Sequence, residues 1–360
     1  MKAQAERDAR FMAACLRMAL AHRARTGSNP SVGTLLARGE RIVGRGVTAL
    51  GGRPHAEPVA IAEAGEAARG ATAYVTLEPC AHHGVTPPCA RALIDAGVIR
   101  VVTAWTDPDA RVDGEGHAML RRAGIQVTTG VLAEQAAADL AGYLARKTLG
   151  RPHVTLKLAV SADGALGQRG RETPITGALA RRYVHRMRAD HDAILVGRGT
   201  VQADDPALTV RLPGLEDRSP ARFLLADADA LDPGGTVVRT SRQVATFLVT
   251  GGDLASDLAH AGVRRFAAER HEGRVALPEL LDDLACAGHS RLMVEGGAAV
   301  AEAFLAGGLV DEIALFSAPH DIGGEAVFSP LAPRDVPAGF RSTRRMRLGE
   351  DELHLMTRLR

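Results

Sequence analysis

Apolar positions recur at two spacings along the chain, helical and strand-like, and the two alternate. Phe11, Cys15, Met18 and Ala19 fall on one face of a 3.6-residue repeat and predict a first amphipathic helix. Thr26-Gly27-Ser28-Asn29-Pro30 is a cluster of turn formers. Residues 35–46 predict a hairpin about Gly39-Glu40, and 58–64 a helix that tolerates Pro58 because it falls in the first turn. The apolar run 73–77 predicts a buried strand. Pro79-Cys80 carry helix-start character, Pro being favoured in a first turn, but 87–94 read as the true helix start, with Cys89 in its first turn. Residues 100–105 predict another strand, ended by Thr106-Asp107-Pro108-Asp109; 120–127 hold a helix end, Gly124 and a strand start, and 133–146 an Ala-rich helix.

Gly150-Arg151-Pro152 interrupts this pattern, which then restarts, so a first domain over 1–149 and a second over 150–360 are expected. Val154, Leu156 and Leu158 share one face of a strand and Lys157 takes the other. Ser161-Ala162-Asp163-Gly164 closes that strand. A basic helix over 178–190 precedes a buried strand over 193–196, which feeds Gly197-Arg198-Gly199-Thr200. Further strands are expected over 222–225, 244–249, 291–294 and 313–316, and a terminal hairpin over 345–348 and 353–359. Residues 227–290 carry no chemical motif. Strands alternating with helices throughout argue for layered α/β domains.

Composition narrows the function. With 360 residues the chain is long enough for two domains. Lys and Arg number 44 against 42 Asp and Glu, so no bulk charge draws the chain to nucleic acid or to a membrane. Aromatics make up 3%, too few for a base-stacking platform. The charged start, 2–10, is followed by no apolar leader, and no run of about 18 apolar residues occurs, so neither export nor membrane insertion is expected. The few cysteines suit a reducing cytoplasmic setting in which thiolates can bind metal.

The densest chemistry lies between His55 and Cys89. His55-Ala56-Glu57, then Pro79-Cys80, then Cys89 after eight residues, is a zinc-deaminase pattern with a widened cysteine gap. One imidazole and two thiolates neutralise Zn²⁺ and leave a fourth position open, where water becomes a nucleophile at neutral pH. Glu57, two residues from His55, reaches that position without being a ligand and can act as the proton shuttle. The competing reading is a closed zinc knuckle. It needs a fourth ligand, with His82 or His83 available and Cys15 and Cys286 remote in sequence, and it leaves Glu57 idle.

In the second half, glycines stand just past two strands, at Gly197-Arg198-Gly199-Thr200 and at Glu295-Gly296-Gly297. Such glycines either let backbone amides approach a phosphate or make ordinary tight turns. Asp204 and Glu295 are carboxylates at strand ends, where α/β crevices open, and Lys157, Arg188 and Arg211 could answer a sugar or phosphate. These residues alone support an anionic-ligand site.

Taken together the motifs resemble the bifunctional deaminase/reductase family of riboflavin biosynthesis over nearly the whole chain. In the first half the likeness rests on Asn29-Pro30-Ser31-Val32-Gly33, His55-Ala56-Glu57, the run Thr76-Leu77-Glu78-Pro79-Cys80-Ala81-His82-His83-Gly84, and Thr86-Pro87-Pro88-Cys89. In the second it rests on Lys157, Ser161-Ala162-Asp163-Gly164, 185–188, 192–196, Gly199-Thr200-Val201, Asp204-Asp205-Pro206, 208–211, 294–297 and 309–312. The resemblance implies a cytidine-deaminase-like three-layer first domain and a dihydrofolate-reductase-like α/β second domain. It implies one Zn²⁺ on His55, Cys80 and Cys89, a proton shuttle at Glu57, and substrate contacts at Asn29, His82 and Asp107. For the reductase it implies NADPH near Ala159, Thr200, Asp204 and Gly297. Substrate contacts fall on Thr173, Arg188, Leu208, Arg211 and Glu295, with Lys157, Asp204 and Glu295 nearest the chemistry. The implied substrate is a diaminopyrimidinone phosphoribosylamine, deaminated and then reduced from ribosyl to ribityl. A homo-oligomer, a dimer or larger, is the expected assembly. Several positions depart from the family: Val85 stands where it has Lys or Arg, Thr173-Pro174-Ile175-Thr176 is one residue shorter and lacks its Trp, Ala162 stands where it has Leu, and Ala226 stands where it has Asp, with Asp227 one step on. The rival readings are a nucleic-acid-editing deaminase, a zinc-stabilised scaffold, and a deaminase with an inactive second half.

Overall fold

The computed structural model describes residues 2–84 and 87–359, so Val85 and Thr86 lie outside the described residues. The chain divides into two compact units, Met1–Gly150 and Arg151–Arg360.

The first unit runs α1 (Lys2–Ala19), β1 (Gly33–Arg38), β2 (Arg41–Val47), α2 (Ala56–Ala64), β3 (Thr72–Val75), α3 (Cys89–Asp95), β4 (Arg100–Thr103), α4 (Glu115–Arg122), β5 (Gln126–Thr128), α5 (Ala133–Asp139) and α6 (Ala141–Leu149). Its sheet has the order β2-β1-β3-β4-β5, antiparallel through β3 and parallel from β3 to β5. Strand alternation divides the core in two. Leu35, Tyr74 and Val102 pack with Phe11, Met12 and Cys15 of α1, whereas Leu36, Val75 and Val101 pack with Ala60, Leu93 and Leu120 of α2, α3 and α4. One sheet between two helical layers is the three-layer domain expected.

The Ala-rich helix expected over 133–146 is two helices. The chain turns at Leu140 (φ −87°, ψ 3°). Ala136 joins the α1 side of the core, while Tyr143 and Leu144 join the opposite side. Asp139 and Gly142, the weakest helix formers of this stretch, flank the turn, and packing on the two sides of the sheet fixes it there.

Glycines on β2 bring α2 against the sheet. A Cβ on Gly46 would lie 2.0 Å from the Ala56 carbonyl oxygen, and one on Gly44 would lie 2.2 Å from that of Ala60. Because His55 caps α2 and Glu57 sits in its first turn, these glycines set the height of both side chains. Gly46→Ala is expected to cost about 1–3 kcal/mol of stability by overpacking, and to lower the deaminase activity that the resemblance implies further than that loss explains. Chemical denaturation with an ammonia-release assay on the folded fraction checks this.

The second unit runs β6 (His153–Val160), β7 (Ala165–Gln168), α7 (Ala178–Ala189), β8 (Ala193–Gly197), α8 (Arg198–Asp204), β9 (Ala221–Leu225), α9 (Thr236–Arg239), β10 (Thr246–Thr250), α10 (Ser256–Ala261) and β11 (Arg264–Ala267). It continues with β12 (Arg270–His271), β13 (Arg274–Val275), α11 (Leu277–Cys286), β14 (Arg291–Val294), α12 (Ala298–Ala306), β15 (Glu312–Ser317), β16 (Ala326–Phe328), β17 (Phe340–Leu348) and β18 (Asp351–Arg358). The main sheet has the order β11-β10-β9-β8-β14-β6-β15-β18-β17 and is parallel up to β15, where the terminal hairpin adds antiparallel strands. Leu156, Leu195, Val294 and Ile313 face α11 and α12, whereas Ile194, Met293 and Phe316 face α7. Residues 227–290, which carry no chemical motif, form the β10–β11 edge, where the strand expected over 244–249 is β10, and α11, whose Leu280, Leu281 and Leu284 are core. The short β7–β16 pair went unread because β7 is four residues long and broken in pattern by Gly167.

Candidate active sites

In the first unit, α2 and α3 begin beside one another. His55 Nδ1 lies 3.4 Å from Cys89 Sγ and 3.9 Å from Cys80 Sγ. The three ligand atoms all fall within 4.8 Å of each other. Tetrahedral nitrogen and sulfur ligands on one zinc stand roughly 3.5–3.8 Å apart, so this donor set fits the ion. Among the described residues no fourth His, Cys, Asp or Glu joins the group, which removes the closed knuckle. Cys15 is buried against α1's side of the sheet, its thiol bonded to the Tyr74 carbonyl.

Cys80 is not on a helix, so Pro79 starts none, and the true start expected at 87–94 is where the helix begins. The helix begins at Cys89, after Pro88, and the Cys89 amide donates to Cys80 Sγ at 3.3 Å. A helix N-terminus therefore does favour the Cys80 thiolate, but across the loop. The Cys89 thiol, His55 and that amide together pull Cys80 down to about 4, against its burial. The hydrogen bond with Cys80 raises Cys89 in turn, assisted by burial and by Glu57. Two adjacent thiols without a cation thus share one charge, and a divalent cation is what would allow both to ionise. Glu57 is buried, and its carboxyl is pushed up to about 7 by burial first and by the neighbouring Cys80 second.

A cavity of about 460 Å³ opens onto His55, Glu57 and Cys80, and Asn29, His82 and Asp107 line it. The buried Nδ1 of His82 has no hydrogen-bond partner among the described residues. Asp107 is less open than its assignment as a contact residue suggests. Its carboxylate accepts from Tyr143 Oη at 2.8 Å and from the Asp109 amide at 2.9 Å. Asp109 in turn pairs with Arg111 at 2.6 Å and Lys147 at 2.8 Å. Sequence reasoning missed this wall and the cations Arg53, Arg111, Arg146 and Lys147 that line the cavity. The turn Asp107-Pro108-Asp109 past β4 was the one local signal. Glu78 was also unassigned. It is buried and accepts from the amides of Asp107, Gly114 and His117, which ties the Pro79-Cys80 loop to α4.

In the second unit the ten residues singled out gather at two adjoining cavities, of about 1050 and 300 Å³. Thr173, Arg188, Thr200, Asp204, Leu208, Arg211 and Gly297 line both, and Lys157, Ala159 and Glu295 line the smaller. Glu295 ends β14 and accepts a bidentate pair from Arg188, 2.6 Å to Nε and 2.9 Å to Nη2. Lys157 Nζ stands 3.9 Å from the same carboxylate. Burial pushes Glu295 up, but the Arg188 charge and hydrogen bonds, then Lys157, overcome it and hold the carboxyl at about 2. Burial lowers Lys157, and Glu295 only partly restores it. Asp204 is raised by burial and by Glu172.

The glycines divide between the two readings. A Cβ on Gly197 would lie 2.6 Å from Val300 Cγ2, and one on Gly296 would lie 2.6 Å from Val300 Cβ, so these two serve close packing of α12. Gly199 and Gly297 line the larger cavity, where the start of α12 and the cations Arg169, Arg171 and Arg198 offer donors to a phosphorylated cofactor. The cavity is of the upper size for a small-molecule site, and this lining fits a dinucleotide. His185 was also passed over. It lines the smaller cavity and bonds the Thr209 carbonyl at 3.0 Å.

Comparison with known proteins separates the readings. The RibD C-terminal domain family matches residues 152–351, and the cytidine and deoxycytidylate deaminase zinc-binding region matches residues 5–105. The riboflavin biosynthesis protein RibD of Escherichia coli (strain K12) is 38% identical over 331 residues, 89% of this chain and 89% of the relative. That of Aquifex aeolicus (strain VF5) is 36% identical over 351 residues, 96% and 97% of the two chains. The solved structure of Acinetobacter baumannii RibD matches with a TM-score of 0.86 at 34% identity, covering 99% of this chain and 100% of that one. A diaminohydroxyphosphoribosylaminopyrimidine deaminase/5-amino-6-(5-phosphoribosylamino)uracil reductase from Thermotoga maritima matches with a TM-score of 0.86 at 31% identity and the same coverage. Among the described residues no helix is long and apolar enough to cross a membrane. With two enzyme units matched in one chain, the scaffold and nucleic-acid-editing readings fall away, and the chain belongs to the RibD family of bifunctional riboflavin-biosynthesis deaminase/reductases.

Proposed function

We propose that the first unit removes the 2-amino group of 2,5-diamino-6-(5-phosphoribosylamino)pyrimidin-4(3H)-one by hydrolysis, and that the second reduces the product's ribosyl chain to ribityl with NADPH. His55, Cys80 and Cys89 hold one zinc ion. When bound, it supplies the Lewis acidity that makes water a nucleophile near neutral pH. Glu57 takes a proton from the attacking water and delivers it to the ring nitrogen. It then takes the second proton to the departing amine, so that the C–N bond breaks and ammonia leaves. A carboxyl that titrates near neutrality suits both directions of transfer. Asn29, His82 and Asp107 contact the substrate, Asp107 with its orientation fixed by Tyr143.

In the second unit Ala159, Thr200, Asp204 and Gly297 contact the cofactor, and Thr173, Arg188, Leu208, Arg211 and Glu295 the sugar and ring. NADPH supplies a hydride when bound. The glycosylamine opens by breaking C1′–O4′, the ring oxygen taking up a proton as the exocyclic nitrogen gives one up to form the imine. With the cofactor bound, C1′ would be the carbon reduced, and the chain's own part is to deliver a proton to the nitrogen. Lys157 is the proton donor, because burial lowers its pKa while Glu295 keeps it within reach of the site. We place the enzyme in the cytoplasm, where thiolate ligands stay reduced. We also expect a homo-oligomer of two or more chains, which light scattering on the purified protein tests.

The observation that carries this reading is the convergence of a three-ligand metal group beside a buried Glu57 in one cavity, with a Lys157–Glu295–Arg188 cluster in another. The test supplies the diaminopyrimidinone and follows ammonia release and NADPH oxidation separately, before and after chelation. Ammonia release should be lost with the metal. NADPH oxidation on preformed deaminated pyrimidine should persist, and its loss in parallel would count against two independent sites.

A further inference from the structure

Arg222 is the second residue of β9, with none of its surface exposed. Its five N–H donors are all used, and every acceptor is neutral. Nε donates to Thr246 Oγ1 at 2.9 Å, and Nη2 to the same hydroxyl at 2.6 Å and to the Val244 carbonyl at 3.0 Å. Nη1 donates to Thr240 Oγ1 at 2.8 Å and to the Ala207 carbonyl at 2.9 Å. Among the described residues no carboxylate reaches it. A buried cation without a counter-ion is costly, and here that cost is met by five hydrogen bonds to neutral acceptors.

The bond to Ala207 leaves the scaffold and enters the loop 204–211, whose Asp204, Leu208 and Arg211 line both reductase cavities. Leu208 has φ of +53°, a left-handed conformation that a leucine rarely adopts. Its strain is balanced on both sides. The carbonyl before it, Ala207, accepts from Arg222, and the carbonyl after it, Thr209, accepts from Arg188 Nη1 at 3.1 Å. A second strained residue, Asp205 (φ +38°), is tied to the Thr236 amide and hydroxyl at 2.6 and 2.7 Å. Two arginines thus clamp the one peptide turn that aims Leu208 and Arg211 inward.

We propose that Arg222 is a positioning residue of the reductase: through the Ala207 carbonyl it holds Leu208 in its left-handed conformation and so sets the substrate-facing wall of the cavity. This rests on the assignment of Leu208 and Arg211 as substrate contacts. Arg222 touches neither substrate nor cofactor, and it works from behind the loop. A rigid fork of five donors is what can span Thr246, Val244, Thr240 and a loop carbonyl at once.

The test uses the full chain, with the deaminated pyrimidine supplied directly. R222M should raise KM for the pyrimidine by roughly tenfold or more while KM for NADPH and ammonia release by the first unit change less than about twofold. R222K keeps the charge but not the fork. It should shift pyrimidine KM in the same direction by less, and it decides the matter if R222M does not fold. Hydrogen exchange at the amides of 205–211 should quicken in R222K more than at β9 and β10. Pyrimidine KM within twofold of wild type in a folded variant, or exchange quickened equally over β9, β10 and the loop, would reduce Arg222 to a structural residue. If the wild-type chain itself fails to reduce the pyrimidine, the assignment of the cavity has failed and not the clamp alone.

Discussion

Glu57→Gln is expected to lower ammonia release by at least about a hundredfold while zinc content and fold are retained. The amide matches the carboxyl in size, and Glu57 is not among the atoms that converge on the metal position. What the variant lacks is a group able to accept the proton of the attacking water and return it to the amine. General acid–base groups of this kind contribute typically 10² to 10⁴ in rate, roughly 3–5 kcal/mol. NADPH oxidation on the deaminated pyrimidine should be unaffected, since Glu57 lies within Met1–Gly150. Cys80→Ser should differ by losing the metal as well. Retention of more than about a tenth of the deaminase rate in Glu57→Gln would exclude it as the shuttle, and loss of zinc would make it a ligand.

Glu295→Gln is expected to weaken both the reductase and the unit that carries it. The wild-type carboxylate accepts two bonds from Arg188 and faces Lys157, all three side chains being mostly buried. Its removal leaves two cations without their counter-charge, and breaking such a pair costs about 3–5 kcal/mol. The two partners respond differently. Arg188 holds Glu295 down at about 2, while burial lowers Lys157 despite the same carboxylate. The carboxylate's direction follows from its bidentate bonds, and it fixes the pH dependence. A depressed carboxyl stabilises the fold above its unfolded pKa of about 4.3. That contribution, on the order of 3 kcal/mol, disappears as pH falls from about 4.5 toward about 2. Denaturation midpoints of wild type and variant should therefore differ most near neutrality and converge below pH 3. A constant gap across that range would remove Glu295 from the acid transition. Reductase turnover should drop at least about tenfold, and a near-normal rate in the folded variant would take Glu295 out of the mechanism.

Much of the deaminase site was legible because its information is local. His55 and Glu57 are two residues apart at one helix start, and Cys89 opens another. Metal chemistry restricts residue type so strongly that the pattern survives a widened gap. The segment at Pro79 shows where locality ends, although the helix start itself was placed correctly at 87–94. Proline there signals a helix start, yet Gly116 and the amides gathered by Glu78 hold that segment as a loop. The same applies to 133–146, where Asp139 and Gly142 were weak local signals and the opposite burial of the two halves decided the turn at Leu140.

The reductase residues were found as a series of motifs with no visible geometry, because parallel strands place neighbours in space far apart in sequence. β6 lies between β14 and β15, so Lys157 meets Glu295 only once the sheet is ordered. Arg222 was read as the first residue of a strand and nothing more. Hydrophobic period, turn chemistry and metal-ligand identity are carried by single residues and their near neighbours, and these the sequence determined unaided. Which carboxylate a buried cation meets, which carbonyls pin a strained leucine and which glycine admits a helix are set by contacts across the sheets. Only the tertiary structure decided them, since burial and pairing belong to positions in space and not to the order of residues along the chain.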